Sequence, residues 1–194
     1  MPQIILASSS IYRKELLERL LLGFKVVKPD MEEIRIESET AYDTASRLSE
    51  EKAKKVSSQF KEAIVIGCDQ TAQFNNIQIQ KPLDYKTALM QLKELSGKRV
   101  YFHSGICVYY DKGNIFQKKV ISFDVKYKNL SLIEIESYLK KEKPFNCIGS
   151  IKSEGLGISL LEEINSNDPT AIVGLPLITL VEMLKEVGVN INGK

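Results

Sequence analysis

An acidic residue directly follows a continuous apolar run in the first half of the chain. The run, Ala63–Cys68, is typical of a strand buried on both faces of a sheet, and Asp69 comes next. Ligands of α/β proteins commonly bind at the carboxyl ends of strands, where a carboxylate can hold Mg²⁺ or act as a general base on water. An aspartate that only caps the following turn produces the same pattern, so this motif alone leaves both roles open.

A row of serines separates a predicted strand from a predicted helix. Ser8, Ser9 and Ser10 follow the apolar stretch Ile4–Ala7, and Arg13 lies in the first turn of the helical pattern that comes next. The unpaired N–H groups at a helix start attract anions, and hydroxyls and a forked guanidinium add further donors. Ser10 is the predicted N-cap of that helix. The segment predicts a phosphate site, with an ordinary capped helix and a surface arginine as the alternative.

Two lysines and two glycine-containing segments complete the candidates. Lys81 precedes a proline and is held at the start of a rigid segment, as a phosphate-binding lysine would be, and Lys52 lies in a helical pattern. Three glycines in Gly149–Gly157 permit tight turns and close approach of a ligand, and Glu154 lies among them. The segment Asp168–Leu177 marks a turn into a final helix and is compatible with a purely structural role.

Alternating strand and helix patterns must hold these residues in place. The apolar periodicity predicts strands at Ile4–Ala7, Phe24–Val27, Ala63–Cys68, Val100–Tyr110, Ile115–Tyr127 and Gly157–Leu161. It predicts helices at Ile11–Leu22, Thr40–Val56, Ser131–Lys141 and Leu175–Val187, and one between Asp84 and Gly97. A long hairpin interrupts the alternation, which indicates an α/β fold with a mixed sheet.

Composition excludes several classes of protein. A net charge of +2 over 194 residues is too small for a typical nucleic-acid-binding protein. The three cysteines are far apart, and the single histidine, His103, does not complete a zinc site with them. The apolar run at the N-terminus is too short for a signal peptide, and no segment approaches the ~20 apolar residues of a spanning helix. We therefore expect a cytoplasmic protein without a membrane partner.

The order and spacing of the motifs resemble one protein family. The resemblance rests on L-A-S-S-S-x-x-R-x-x-L-L, S-E-E-K-A-K, I-G-C-D-Q, Q-K-P, L-S-G-K, H-S-G and V-G-L-P-L. In these motifs the chain resembles the Maf family from roughly Ile4 to Leu184. The resemblance implies one Maf-like domain over 1–194, with a mixed twisted sheet, helices and two lobes around a cleft, similar to inosine triphosphate pyrophosphatases. It also implies metal-dependent release of pyrophosphate from a nucleotide substrate, and a homodimer.

The resemblance assigns roles to individual residues. It makes Asp69 the catalytic residue, which activates the water that attacks the α-phosphorus. It implies a phosphate-binding set composed of Ser8, Arg13, Lys52 and Lys81. Glu33, in a loop without clear periodicity, would hold a divalent cation, Mg²⁺ or Mn²⁺, together with Asp69.

Three positions distinguish the branches of the family. The branch that acts on dTTP and UTP has Arg in place of Tyr12, Thr in place of Gln70, and Y-G-I-Q-G around Lys152–Gly155. At all of them this chain instead resembles the YceF branch, which is associated with 7-methyl-GTP. One departure is Tyr12, since close members of that branch carry Trp there. Tyr12, Gln70 and Glu154 are therefore the predicted specificity residues.

The chemistry of 7-methylguanine agrees with this branch. Methylation of N7 gives the ring a positive charge, so that it stacks well on an aromatic side chain such as Tyr12. Its N1–H and exocyclic amine are paired donors that the carboxylate of Glu154 can accept. The alternatives are a dTTP/UTP pyrophosphatase and a non-enzymatic regulator of septum formation. The full set of acid and cations favours the enzyme, because a pure binding protein does not need a water-activating acid.

Overall fold

Strands and helices alternate through the first part of the chain, as the apolar periodicity predicts. The structure, a computed structural model, describes residues 2–34 and 36–193. Its strands are β1 (Ile4–Ala7), β2 (Phe24–Val27), β3 (Ile64–Phe74), β4 (Ile77–Ile79), β5 (Arg99–Tyr110), β6 (Ile115–Tyr127) and β7 (Leu161–Asn165). Its α-helices are α1 (Ile11–Glu18), α2 (Ala41–Ser57), α3 (Tyr85–Leu95), α4 (Leu132–Glu142) and α5 (Leu177–Glu186). No helix in the described ranges is long and apolar enough to cross a membrane.

The strands form one mixed sheet in the order β2-β1-β3-β5-β6-β7, with β4 paired to β3. β1 lies parallel to both of its neighbours, with Ala7 beside Val27 of β2 and beside Gly67 of β3. The β3–β4 and β6–β7 pairs are antiparallel. This topology confirms the predicted α/β fold with a mixed sheet.

The chain divides into two compact units. The first unit comprises Met1–Gln70, Ser104–Ile121 and Asp168–Lys194, and the second comprises Thr71–His103 and Ser122–Asn167. Long strands contribute residues to both, since β3, β5 and β6 each cross a unit boundary. The single domain over 1–194 stays a prediction.

The core of the first unit lies on both faces of its parallel strands. Leu6 packs in a cluster with Leu17 of α1 and Leu180 of α5, whereas Ile5 packs in a second cluster with Val56 of α2. β1 is therefore buried throughout, as its continuous apolar run predicts. These strands are therefore packed by helices on both faces, α1 and α5 on one and α2 on the other.

A glycine in β3 sets the distance between α2 and the sheet. A side chain at Gly67 would come within 2.7 Å of the Ala53 backbone nitrogen, so only glycine permits this close approach. Lys52 precedes Ala53, and Asp69 follows Gly67 by two residues. The contact between helix and strand thus brings these two polar residues within reach of each other.

The second unit has an aromatic and hydrogen-bonded core. Phe102 and Phe123 stack with ring centroids 5.4 Å apart. The buried Tyr127 hydroxyl donates to the Gly149 carbonyl at 3.0 Å, and the left-handed φ of +70° at Gly149 favours glycine. These contacts anchor the start of the segment that carries Glu154.

Two strand predictions are wrong at their boundaries. β3 does not end at Cys68 but continues through Asp69 to Phe74, where polar residues interrupt the apolar run and Ala72–Phe74 pair with the antiparallel β4. A strand was expected over Gly157–Leu161, but that stretch is mostly a 3-10 helix, and β7 begins only at Leu161. Tight turns close on the Lys152 carbonyl there and exclude extended backbone.

The first and last helices are shorter than predicted. α1 ends at Glu18 rather than Leu22, and Leu21 has a φ of +53° that interrupts helical geometry. α5 spans Leu177–Glu186 rather than Leu175–Val187, and Pro176 is its N-cap. Both errors concern helix ends, where periodicity gives little information.

Candidate active site

A buried ion pair lies in the first unit. Lys52 Nζ donates to Asp69 Oδ1 at 2.6 Å, and the side chains are only 6% and 8% exposed. Asp69 lies inside β3, yet β1 ends at Ala7 beside Gly67, so Asp69 is beyond the end of its parallel neighbour. The expectation of an acid at the carboxyl edge of the parallel strands is met in this modified form.

Burial governs the protonation of Asp69. Removal from water raises the pKa of the Asp69 carboxyl above its ordinary value, while the positive charges of Lys52 and Arg13 oppose the increase. Burial likewise raises the pKa of the Cys68 thiol beside it. Asp69 consequently binds a proton more readily than an exposed aspartate, which is the property required of a general base near neutral pH.

A second carboxylate contacts the same lysine. Glu33 Oε1 lies 2.8 Å from Lys52 Nζ, although the Glu33 side chain is 54% exposed. Among the described residues no group of three or more His, Cys, Asp or Glu side chains could hold a metal. Mg²⁺ needs only one or two protein carboxylates when phosphate and water oxygens supply the rest. Glu33 and Asp69 are two carboxylates near the same lysine, so their oxygen atoms are of the kind and number that this requires.

The serine turn is folded tightly against the sheet. The buried Ser8 donates its N–H to the carbonyls of Leu6 and Val27, each at 3.1 Å. Its hydroxyl accepts the N–H of Ser10 at 3.1 Å and still has a proton to donate. Ser10 in turn caps α1 by accepting the Arg13 N–H at 3.4 Å, which confirms the predicted N-cap.

Arg13 is fixed by backbone carbonyls on two different segments. Its Nε donates to the Gly174 carbonyl and its Nη1 to the Cys68 carbonyl, both at 2.9 Å. A side chain at Gly174 would lie 3.2 Å from Nε, and the φ of +104° there also favours glycine. The guanidinium is therefore bound to the backbone of Cys68, the residue before Asp69. It is not free on the helix surface.

Gln70 is bound by the segment that precedes α5. Its Nε2 lies 2.9 and 3.1 Å from the carbonyls of Ala171 and Ile172 and 3.1 Å from Ser104 Oγ, and these three acceptors share the two amide protons. The fully buried Ser104 hydroxyl donates to the Ala171 carbonyl at 2.7 Å. Ser104, which lies in the H-S-G motif, thus contacts a predicted specificity residue, and it is not among the residues selected from the sequence.

A second missed group braces this segment. The buried Asp168 accepts the Thr170 hydroxyl at 2.9 Å and the Thr179 N–H at 3.1 Å. Thr170 Oγ1 also accepts the Leu177 N–H at 2.8 Å, and its one proton is shared between Asp168 and the Leu175 carbonyl, which lies at 2.8 Å. The D-P-T motif therefore folds the turn that presents carbonyls to Arg13 and Gln70. The sequence predicts only a possible structural role for this segment.

The remaining predicted residues have different surroundings. Tyr12 is half-buried in the first turn of α1, in the first unit. Lys81 and Glu154 belong to the second unit, and both are exposed. Glu154 accepts a hydrogen bond from the Ser153 hydroxyl at 3.3 Å. The roles of all the predicted site residues stay predictions.

Comparison with known proteins identifies related sequences along almost the whole chain. The family model for Maf-like proteins matches residues 3–187. A protein of Methylobacillus flagellatus named 7-methyl-GTP pyrophosphatase is 47% identical, and the alignment covers 98% of this chain and 100% of the relative. Proteins of the same name from Burkholderia pseudomallei and Nitrosospira multiformis are 46% and 44% identical over 96% and 97% of this chain, and 88% and 96% of their own lengths.

The fold also has a counterpart among solved structures. The Ham1 protein of Staphylococcus aureus matches with a TM-score of 0.50 at 11% sequence identity, covering 96% of this chain and 100% of that protein. An identity this low carries information about the fold alone. The match agrees with the predicted fold class.

Proposed function

The chain belongs to the Maf family, and on that premise we propose that it is a nucleotide pyrophosphatase that hydrolyses 7-methyl-GTP to 7-methyl-GMP and pyrophosphate. Relatives named 7-methyl-GTP pyrophosphatase, aligned over nearly the whole chain, support this activity. In the proposed reaction a water oxygen bonds to the α-phosphorus. The bond from that phosphorus to the oxygen bridging it to the β-phosphate breaks, and pyrophosphate leaves.

The buried Asp69 carboxylate is the observation on which the catalytic proposal rests. Asp69 would accept the proton that the attacking water loses. Its raised pKa makes it a stronger base than an exposed aspartate. The hydrogen bond from Lys52 at 2.6 Å restricts the carboxylate to one orientation, so that little reorganisation would be needed during attack.

Cations and donors in the first unit support binding of the triphosphate. Arg13, held by two carbonyls, would present the rest of its fork to phosphate oxygens, and the Ser8 hydroxyl has a proton to donate. Lys52 and the exposed Lys81 would add positive charge. Glu33 and Asp69 would hold Mg²⁺ or Mn²⁺, which when bound neutralises charge on phosphate oxygens.

The proposed choice of base depends on three side chains. Tyr12 would stack on the positively charged 7-methylguanine ring, and Glu154 would accept its N1–H and exocyclic amine. The Gln70 amide nitrogen is already committed to the segment before α5, so Gln70 would shape the pocket through a fixed position. These three positions are also those at which the motifs depart from the dTTP/UTP branch.

A panel of nucleotides with detection of pyrophosphate tests the function. We expect 7-methyl-GTP to have a higher kcat/KM than GTP, dTTP or UTP when Mg²⁺ or Mn²⁺ is present, and excess chelator to abolish turnover. Preference for dTTP or UTP would contradict the substrate proposal but not the activity. Turnover that persists in chelator would contradict the metal assignment. Failure to hydrolyse any nucleotide with metal present would favour the regulator of septum formation instead.

A further inference from the structure

One carboxylate holds both ends of the loop that displays Glu154. Glu142 Oε1 accepts a hydrogen bond from Lys152 Nζ at 2.7 Å, and Glu142 Oε2 accepts the Leu156 N–H at 2.6 Å. Glu154 lies midway, two residues from each of these contacts. The Glu142 side chain is only 11% exposed, and each of its two carboxylate oxygens accepts one of these hydrogen bonds.

The rest of the loop is shaped to fit this carboxylate. A side chain at Gly155 would come within 2.6 Å of Glu142 Oε2, so a larger residue would displace it. The Tyr138 hydroxyl, one turn earlier on α4, accepts the Lys152 N–H at 3.0 Å. Glu142 therefore explains two residues of the K-S-E-G segment. Lys152 donates a hydrogen bond to it, and Gly155 leaves room for it.

The position of Glu142 on its helix points to a role outside the helix. It is the last residue of α4, where the helix dipole makes a negative charge unfavourable. The two preceding residues are lysines, as is usual at a helix end. Hydrogen bonds from Lys152 and Leu156 lower the pKa of Glu142, so the loop stabilises its charged form. A residue that opposes local preference is expected where tertiary contacts or function require it.

We infer that Glu142 is a positioning residue for substrate specificity, which clamps the 152–156 loop so that Glu154 is presented to the base in one orientation. The inference rests on the proposed function. Glu142 itself would not contact the substrate. Without the Glu142 carboxylate the loop would be more mobile. Each binding event would then have to order Glu154, which costs conformational entropy. Recognition of the base should therefore suffer, while phosphate chemistry in the first unit should not.

Inhibition by the two products separates these effects. We expect Glu142→Ala to raise the inhibition constant of 7-methyl-GMP about tenfold and that of pyrophosphate, which has no base, less than about twofold. KM for 7-methyl-GTP should rise while kcat stays nearly constant. Glu142→Gln retains an acceptor for the Leu156 N–H and should restore part of the loss. In a Glu154→Gln background, Glu142→Ala should add little, because the side chain that it positions is already impaired.

Controls keep the inference separate from the proposed function. Glu136→Ala, also on α4, removes a solvent-accessible pair with Lys140 at 3.9 Å and should match the wild type. Amide hydrogen exchange of the substrate-free protein should accelerate at Leu156 in Glu142→Ala. Unchanged exchange, equal weakening of both products, or additive effects in the double variant would overturn the inference. A wild-type protein that does not hydrolyse 7-methyl-GTP would instead overturn the proposed function.

Discussion

The Asp69–Lys52 pair and the 152–156 loop represent opposite ways of holding a charged group. Asp69 is buried within a strand and contacts Lys52, a lysine on the buried face of α2. Glu154 is exposed on a loop, and that loop is attached to α4 through Glu142. The difference teaches that the proposed base and its lysine are fixed by core packing, while a group proposed for recognition depends on hydrogen bonds to a single carboxylate.

The two regions also differ in how water affects their electrostatics. Charge interactions between buried groups are weakly screened, so the Lys52–Asp69 contact strongly influences protonation. An exposed carboxylate such as Glu154 is screened by solvent until a ligand covers it. Substitutions in the first region should therefore change rate and stability together, and substitutions in the loop should change selectivity alone.

The largest effect is expected when the proposed base is removed. Asp69→Asn keeps the size and one hydrogen-bond acceptor but has a negligible affinity for a proton. We expect kcat to fall by ~10²-fold or more, as loss of general-base catalysis does. Turnover is measured by pyrophosphate release, with circular dichroism as a check of folding. Asp111→Asn, in an exposed turn, is the matched control, and near-normal turnover of a folded Asp69→Asn protein would remove Asp69 from its role.

The two lysines proposed to bind phosphate should differ in their effect on stability. Lys52→Met leaves Asp69 buried without its closest cation and should lower the free energy of unfolding by about 2 kcal/mol. Lys81→Met changes an exposed residue and should leave stability within about 0.5 kcal/mol. Urea denaturation measures both. Equal stability losses in the two variants would contradict the contrast between buried and exposed sites.

Recognition of the base should weaken when Glu154 loses its charge. Glu154→Gln replaces a carboxylate that can accept two donors with an amide that accepts at only one atom. We expect the ratio of kcat/KM for 7-methyl-GTP to that for UTP to fall about tenfold. Stability should not change, because Glu154 is exposed. A variant with the same ratio as the wild type would show that another residue reads the base.

A smaller effect is expected at Tyr12. Tyr12→Ala removes an aromatic face that a cationic ring prefers over a neutral one. The kcat/KM for 7-methyl-GTP should fall about threefold more than that for GTP, the magnitude of a partly exposed cation–π contact. Tyr12→Phe, which preserves the ring, should retain most of the preference. Equal losses for the methylated and unmethylated nucleotides would exclude stacking on the charge.

The smallest effect is the pH dependence that follows from the raised pKa of Asp69. Because burial raises the pKa of Asp69 above the ordinary aspartate value of 3.8, its carboxyl should titrate above that pH, as ¹³C NMR of labelled aspartate can measure. Above the raised pKa both the folded and the unfolded forms are ionised. Between 3.8 and the raised pKa the folded form binds the proton more tightly. The stability contributed by this group therefore falls as pH rises through that window, and a titration at or below 3.8 would contradict the burial argument.

Much of the secondary structure and several site residues could be predicted from short-range patterns. The apolar run of β1, the Ser10 cap and the alternation of strands and helices depend on neighbouring residues, which a linear sequence displays directly. The boundary of β3 could not be predicted in this way. Its second half contains polar residues, and that half is extended through pairing with other strands, including β4 beside Ala72–Phe74.

The partner of each polar side chain depended on packing between distant parts of the chain. Arg13 and Gly174 are 161 positions apart, and no local pattern predicts that the Arg13 guanidinium donates to the Gly174 carbonyl. The contact of α2 with Gly67 likewise joins Lys52 to Asp69. Residue type restricts what chemistry a side chain can do, and that information is local. Burial, hydrogen-bond partners and pKa depend on what surrounds the side chain, and they arise only when the chain has folded.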